Sequence, residues 1–266
     1  MLLLLRLVRK IAGWVDFILV CLVVYLLAWL PWPGKHPVAR LFPFWCRAFA
    51  RALDVDIRVH QKHRKHLPER YILIANHPSA FEDIGIPAVF DVVSLAKLQV
   101  QDWFIAGRIA KAAGTLFVDR DNPESRKQVI FTMVDAVNAG QNIALYPEGG
   151  CTGRRLFKEF KSGAFEVSIK TGIPILPVFL HYEAQDDFEW QPPYTLPDKI
   201  RHFMVASNNR FTISGGVPAG TNRPYQNAML NSGTPASAMP GTRRETTGPP
   251  GECRAMAARP AGTPAR

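Results

Sequence analysis

Cysteine is scarce in this chain, and what there is lies scattered. Cys21, Cys46, Cys151 and Cys253 form no Cys-x-x-Cys pair, which argues against a zinc site or a disulfide framework and fits a reducing compartment. Acidic residues are also short: 22 Asp and Glu face 32 Lys and Arg, for a formal charge of +10. Such an excess implies an anionic partner, either nucleic acid, phospholipid headgroups or a phosphorylated substrate. The cations follow turn positions instead of forming a surface interleaved with aromatics, so nucleic acid is not expected. A length of 266 residues allows one substantial core with appendages.

Long apolar runs are missing except at the N-terminus. There, Arg6, Arg9 and Lys10 precede a stretch from Ile11 to Trp32 that is interrupted only by Gly13, Asp16 and Pro31. Phe17 to Leu30 alone is short for a span of about 20 residues; adding Ile11 to Asp16 reaches that length with one carboxylate near the end. Trp14, Trp29 and Trp32 lie towards the ends, where interfacial aromatics belong. No small-x-small cleavage site follows, which disfavours a signal peptide, and the flanking cations disfavour a buried soluble helix. Residues 1–36 therefore read as a membrane anchor. Cations flank both ends, so its orientation, and whether it spans or re-enters, stay open.

Residues 214–266 contain no Ile, Phe or Trp, with 8 Gly and 8 Pro. A segment this poor in large apolar side chains cannot offset the entropy of ordering it, and a disordered tail is expected. Its composition also resembles GC-rich coding DNA read in a shifted frame, in which case the true continuation would add a strand and a helix. A natural flexible tail is the alternative.

Between these ends, residues 37–213 form the expected folded domain. Val38, Leu41, Phe42, Trp45, Phe49 and Leu53 recur at helical spacing in an amphipathic segment. Strand patterns at 57–60, 71–75, 91–95, 115–118, 142–146 and 175–180 alternate with helical patterns at 103–113, 123–139 and 163–171. That alternation predicts an α/β class, a mixed sheet flanked by helices.

Four segments stand at strand ends. The first, Asn76-His77-Pro78-Ser79-Ala80-Phe81-Glu82-Asp83, sets an imidazole a few residues before two carboxylates, a pairing in which a carboxylate can orient a general base. The second, Gly114 to Arg120, delivers a guanidinium fork suited to phosphate. The third, Tyr146-Pro147-Glu148-Gly149-Gly150, lets backbone approach a ligand closely ahead of Arg154, Arg155, Lys158 and Lys161. The fourth, Ile173 to Phe179, carries prolines that fit the start of a strand at the sheet edge.

The ordered set resembles the glycerolipid acyltransferase family, of which lysophosphatidic acid acyltransferase is the type. That family carries an Asn-His-x4-Asp block, a Gly-x-x-Phe-x-x-Arg block, a Pro-Glu-Gly-Thr-Arg-Ser-like block and a Pro-rich apolar block. Lys97 and the stretch Phe160-Lys161-Ser162-Gly163-Ala164 also resemble family features, and the likeness covers about residues 70–182. Two departures stand out. Glu82 occupies the position of the family's aspartate, with Asp83 one residue later, and the third block reads Glu-Gly-Gly-Cys-Thr-Gly-Arg-Arg.

The resemblance implies a membrane-bound O-acyltransferase that moves an acyl group from acyl-CoA or acyl-carrier protein to a lysophospholipid hydroxyl. 1-Acyl-glycerol-3-phosphate is the first acceptor expected. Another lysolipid such as lyso-ornithine lipid, or a non-catalytic protein binding acidic lipid, are the alternatives. His77 would be the base, with Glu82 or Asp83 orienting it. Asn76, Ser79, Lys97, Gly114, Phe117, Arg120, Glu148, Gly149, Gly150, Arg154 and Lys161 would meet substrate. No cofactor and no metal ion are expected, and the implied setting is the cytoplasmic face of the inner membrane.

Overall fold

Two helices precede the first strand. The computed structural model describes residues 2–61, 67–151, 153, 159–191, 195–206 and 208–216. Helix α1 (Leu2–Leu27) and helix α2 (Val38–Ala52) run antiparallel, because Trp14 and Phe17 meet Phe49 and Trp45 while Val24 joins Val38 further along. Arg9 and Asp16 of α1 pair with Asp54 and Arg51, each at 2.8 Å. These are exposed pairs, worth well under about 1 kcal/mol each, so ring packing holds the hairpin. Val8–Leu27 is long and apolar enough to cross a membrane, by length and composition, and its outward stripe includes Val8, Ile11, Val15, Ile18, Leu22 and Leu26.

Then follow β1 (Asp56–Gln61), β2 (Ile72–Ala75), α3 (Glu82–Gly85), β3 (Val93–Lys97), α4 (Ala106–Ala113), β4 (Leu116–Val118), α5 (Pro123–Asn138) and β5 (Ile143–Leu145). The domain continues through α6 (Gly163–Thr171), β6 (Ile175–Tyr182), α7 (Gln185–Phe188), α8 (Leu196–Val205) and β7 (Arg210–Gly215). Local chemistry sets several boundaries. Asn122 caps α5 by accepting from the Glu124 and Ser125 amides with Pro123 in the first turn, and Thr195 and Asp198 cap α8 reciprocally.

The strands form one mixed sheet in the order β1-β7-β6-β2-β5-β3-β4. β6, β2, β5, β3 and β4 are parallel; β7 is antiparallel to β6 and parallel to β1. The expected mixed sheet is present, but β6 is not at its edge. Pro177 is tolerated inside because its carbonyl, which accepts from Gly216 at 2.8 Å, points towards β7 where that ladder ends. The donor it lacks would point the same way, past the last paired residue.

Leu73, Ala75, Ala144, Leu176, Val178 and Leu180 pack on one face against Phe81, Phe188, Phe203 and Phe211. Ile72, Ile74, Ile143, Leu145 and Ile175 meet α5 and α6 on the other. The folded chain reaches Gly215 in β7, two residues past the boundary read at 213. Residues from 217 onward, where the disordered tail was expected, lie outside the described residues, as do residues 62–66.

Candidate active site

The first block begins where central β2 ends. Asn76 donates to the Leu180 carbonyl at 3.0 Å and accepts from the Leu180 amide at 2.7 Å, fastening the turn to β6. The Trp190 amide donates to the Pro78 carbonyl at 2.7 Å and holds the turn from the far side. Ser79 is fully buried; its hydroxyl accepts from the Phe81 amide at 3.3 Å, and its own amide serves Glu82. Asn76 and Ser79, expected to meet substrate, therefore build the turn instead.

His77 Nδ1 lies 3.0 Å from Glu82 Oε2, and both side chains are almost wholly buried. Glu82 Oε1 accepts from the Ser79 amide at 3.0 Å and from the Tyr182 hydroxyl at 2.7 Å. Every oxygen of this carboxylate is thus directed, which fixes Nδ1 as the nitrogen facing it and leaves Nε2 for another partner. The His77 ring stacks on Tyr146, centroids 4.2 Å apart at 12°. Burial opposes protonation of His77, but the Glu82 hydrogen bond and the charges of Glu82 and Asp83 together raise its pKa above the usual imidazole value. Burial raises Glu82 in turn, against the hydrogen bonds from His77 and Tyr182.

Of the two adjacent carboxylates, Glu82 is the partner of His77. Asp83, next along α3, reaches solvent while protein surrounds it, as expected of a cleft residue. That enclosure raises its pKa, opposed by His77 and Arg120. The buried Tyr146 hydroxyl lies beside Asp83 without hydrogen-bonding geometry. The Glu82 side chain reaches His77 Nδ1 while Ser79 and Tyr182 brace its carboxylate.

The second and third blocks meet. Arg120, just past β4, donates to the Gly149 carbonyl at 2.8 Å, and Arg126 donates to the Arg120 carbonyl at 2.6 Å. Gly149 has a φ of 74° and lies under the Lys161 stem, where a Cβ would come within 3.2 Å. The Lys161 amide closes the loop by donating to the Pro147 carbonyl at 2.7 Å. Glu148 is half-buried, and burial raises its carboxyl, opposed by the His77 amide and ring. Gly150 is open, and Phe117 is half-buried on β4 opposite Ala96.

A cavity of about 820 Å³ lies between α5, α6 and the sheet. Arg120, Arg126, Lys127, Lys161 and Lys170 are on its lining, with Val118, Leu145 and Tyr146 towards the sheet. Tyr146 thus touches both His77 and this basic cavity, at the C-terminal ends of parallel strands where such sheets bind ligands.

Two expected substrate residues fall elsewhere. Gly114 takes φ 87° to end α4 and meets nothing nearby, so its role is to stop a helix. Lys97 is exposed at the end of β3, opposite Val118, and contributes positive field at most. Arg154, with Thr152, Arg155 and Lys158, lies outside the described residues. Tyr182 escaped the sequence reading. The signal was present: it follows Leu176, Val178 and Leu180 in the alternation of β6, and an inward tyrosine needs a partner for its hydroxyl.

Residues 56–181 match the Acyltransferase family. The 1-acyl-sn-glycerol-3-phosphate acyltransferase of Neisseria meningitidis serogroup B is 26% identical over 136 residues, 51% of this chain and 53% of that protein. The match thus spans about half the length of that relative. The lyso-ornithine lipid O-acyltransferase of Pseudomonas aeruginosa is 27% identical over 190 residues, 68% of this chain and 72% of its own. The crystal structure of the 1-acyl-sn-glycerophosphate (LPA) acyltransferase PlsC from Thermotoga maritima shares the fold, with a TM-score of 0.51 and 16% identity over 86% of this chain and 95% of that one. Through residues 56–181 the chain is thus similar in sequence to acyltransferases, and it shares the fold of the Thermotoga enzyme.

Proposed function

We propose that this protein transfers a fatty acyl group from a thioester to the free hydroxyl of a lysophospholipid. The observation that carries the reading is the His77–Glu82–Tyr182 chain at the end of β2, beside a basic cavity. The acceptor hydroxyl gives its proton to His77 Nε2 as its oxygen attacks the thioester carbonyl. The tetrahedral intermediate then collapses, and the departing thiolate takes the proton from the imidazolium. Glu82 holds the tautomer and stabilises the imidazolium between these steps. Transfer is direct. Burial pushes the Cys151 thiol well above its ordinary pKa, which makes it a poor nucleophile. The donor is acyl-CoA or acyl-carrier protein.

The favoured acceptor is 1-acyl-glycerol-3-phosphate, its phosphate held by Arg120 and Lys161, since a permanent cation fixed by a backbone carbonyl suits a phosphate dianion. A second acceptor, lyso-ornithine lipid, is favoured by the altered third block and by the longer alignment with the Pseudomonas relative. The outer stripe of α1 seats the protein in the inner membrane, with the catalytic domain on the cytoplasmic side. Membranes carrying the purified chain, offered labelled acyl-CoA or acyl-carrier protein with a lysolipid panel, decide among these. No transfer to any lysolipid rejects the enzyme reading.

A further inference from the structure

We propose that Trp103-Phe104-Ile105 is a second membrane-seated element, which holds the β3 end of the active-site rim at the bilayer surface. The three residues lie between a 3-10 turn (Leu98–Asp102) and α4. Their exposures of 44%, 82% and 42% make an apolar tip of three consecutive large side chains, with Phe104 the most exposed of them. The tip is not a loose loop. The Trp103 amide donates to Val100 at 3.2 Å, the Gly107 amide to Trp103 at 2.9 Å and the Ile109 amide to Ile105 at 3.1 Å. Gly107 presses so closely on the turn that a Cβ there would stand 2.3 Å from the Gln101 carbonyl oxygen. Backbone packing therefore presents the three side chains outward in a fixed pose.

What covers them follows from their neighbours. Phe104 meets Tyr25 of α1 at 5.9 Å between centroids, and Tyr25 meets Trp29 at 6.2 Å. Tyr25 follows Leu22 by three residues and precedes Trp29 by four, so it borders the outward stripe of α1 and joins the tip to it. The Arg108 guanidinium lies 3.7 Å over the Trp29 ring, and Lys97 and Lys111 are exposed nearby in sequence. Aromatic and aliphatic tips backed by cations suit an anionic lipid surface, where the rings enter the acyl boundary and the charges stay with phosphates.

The tip follows the Lys97 end of β3 by a single turn, so seating it fixes that rim at headgroup depth. A lysolipid could then reach the site from the leaflet without crossing bulk water. This inference rests on the membrane reading of α1, and the test separates the two.

The full chain, with its four cysteines replaced by alanine, is labelled with an environment-sensitive nitrobenzoxadiazole dye at one of three positions. These are Phe104→Cys on the tip, Val15→Cys on the α1 stripe and Gln128→Cys on exposed α5. Vesicles of phosphatidylethanolamine and phosphatidylglycerol are then added. A several-fold, blue-shifted rise at 15 and 104 with none at 128 is expected. A rise at 15 alone overturns the tip proposal and leaves the anchor standing; no rise at either overturns both. A rise at 104 that grows with protein concentration in the absence of vesicles makes the occupant a second copy of the chain and also overturns it. In the chain with its native cysteines, Phe104→Ala should weaken vesicle partition about tenfold and Phe104→Trp should preserve it. An unchanged partition for Phe104→Ala overturns the proposal without any need for the cysteine-free background.

Discussion

The two faces of the sheet are built on opposite plans. On one, Phe81, Tyr182, Phe188, Phe203 and Phe211 pack in stacked and edge-on pairs 4.5–6.4 Å apart, and Tyr182 extends from that cluster to brace Glu82. On the other, α5 and α6 leave a basic cavity of about 820 Å³. The proposed base, His77, is tied to the dense face, where a displacement costs packing. The cations proposed to hold the acceptor sit on the open face, where replacing one leaves the core intact. Tyr146 belongs to both, since it lines the cavity and stacks on His77. Such a division would let residues of the cavity wall be exchanged without disturbing His77.

The sharpest way to break the comparison is His77→Ala. It should lower acyl transfer by about 10³-fold or more while thermal unfolding stays near that of the parent chain. Retained activity would remove the dense face from the chemistry. Next in size is Phe81→Ala, which should cost about 3–5 kcal/mol of stability from the cavity it leaves among four rings. Denaturant unfolding measures this, and a loss below about 1 kcal/mol would show that the cluster is not a rigid support.

Glu82→Gln should lower kcat by about 10²-fold, whereas Asp83→Asn should lower it far less. The pH profile carries the sign. Glu82 raises the His77 pKa against burial, so its neutral replacement lets burial prevail, and the acid limb of kcat/KM should move to lower pH. A limb that stays in place would assign it to another group. On the open face, Arg120→Ala should raise KM for a phosphate-bearing acceptor about 10- to 100-fold with kcat little changed, by loss of a charge-assisted contact. An equal fall in kcat would put Arg120 in the chemistry instead. Tyr182→Phe is the smallest: a few-fold fall in kcat with KM constant, because Glu82 keeps its bonds to Ser79 and His77.

Much of this was legible in the sequence, for reasons that differ by residue. Six of the seven strands announced themselves as short apolar runs closed by turns, and His77, Arg120, Glu148 and Gly149 were visible at strand ends. The choice between Glu82 and Asp83 was not, because it depends on which carboxylate α3 turns inward, and on a hydroxyl 100 residues away in Tyr182. Asn76 and Ser79 misled for a related reason. A polar side chain in a tight turn can serve the turn as well as a ligand, and only the Leu180 and Phe81 amides reveal which. β6 carries Pro177 and follows Pro174, and it read as an edge strand; its interior place depended on β7, which was not among the expected strands.

β7 also has a consequence for biosynthesis. Among the described residues it alone pairs with both β1, which follows the N-terminal hairpin, and β6 in the parallel half of the sheet. During translation α1, α2 and β1 leave the ribosome some 150 residues before Arg210–Gly215 can. Until that late segment emerges, β1 has no neighbour to join it to the rest of the sheet. The N-terminal helices therefore have time to find a lipid surface while the catalytic half is still an open edge, so delivery to the membrane can precede the closing of the fold.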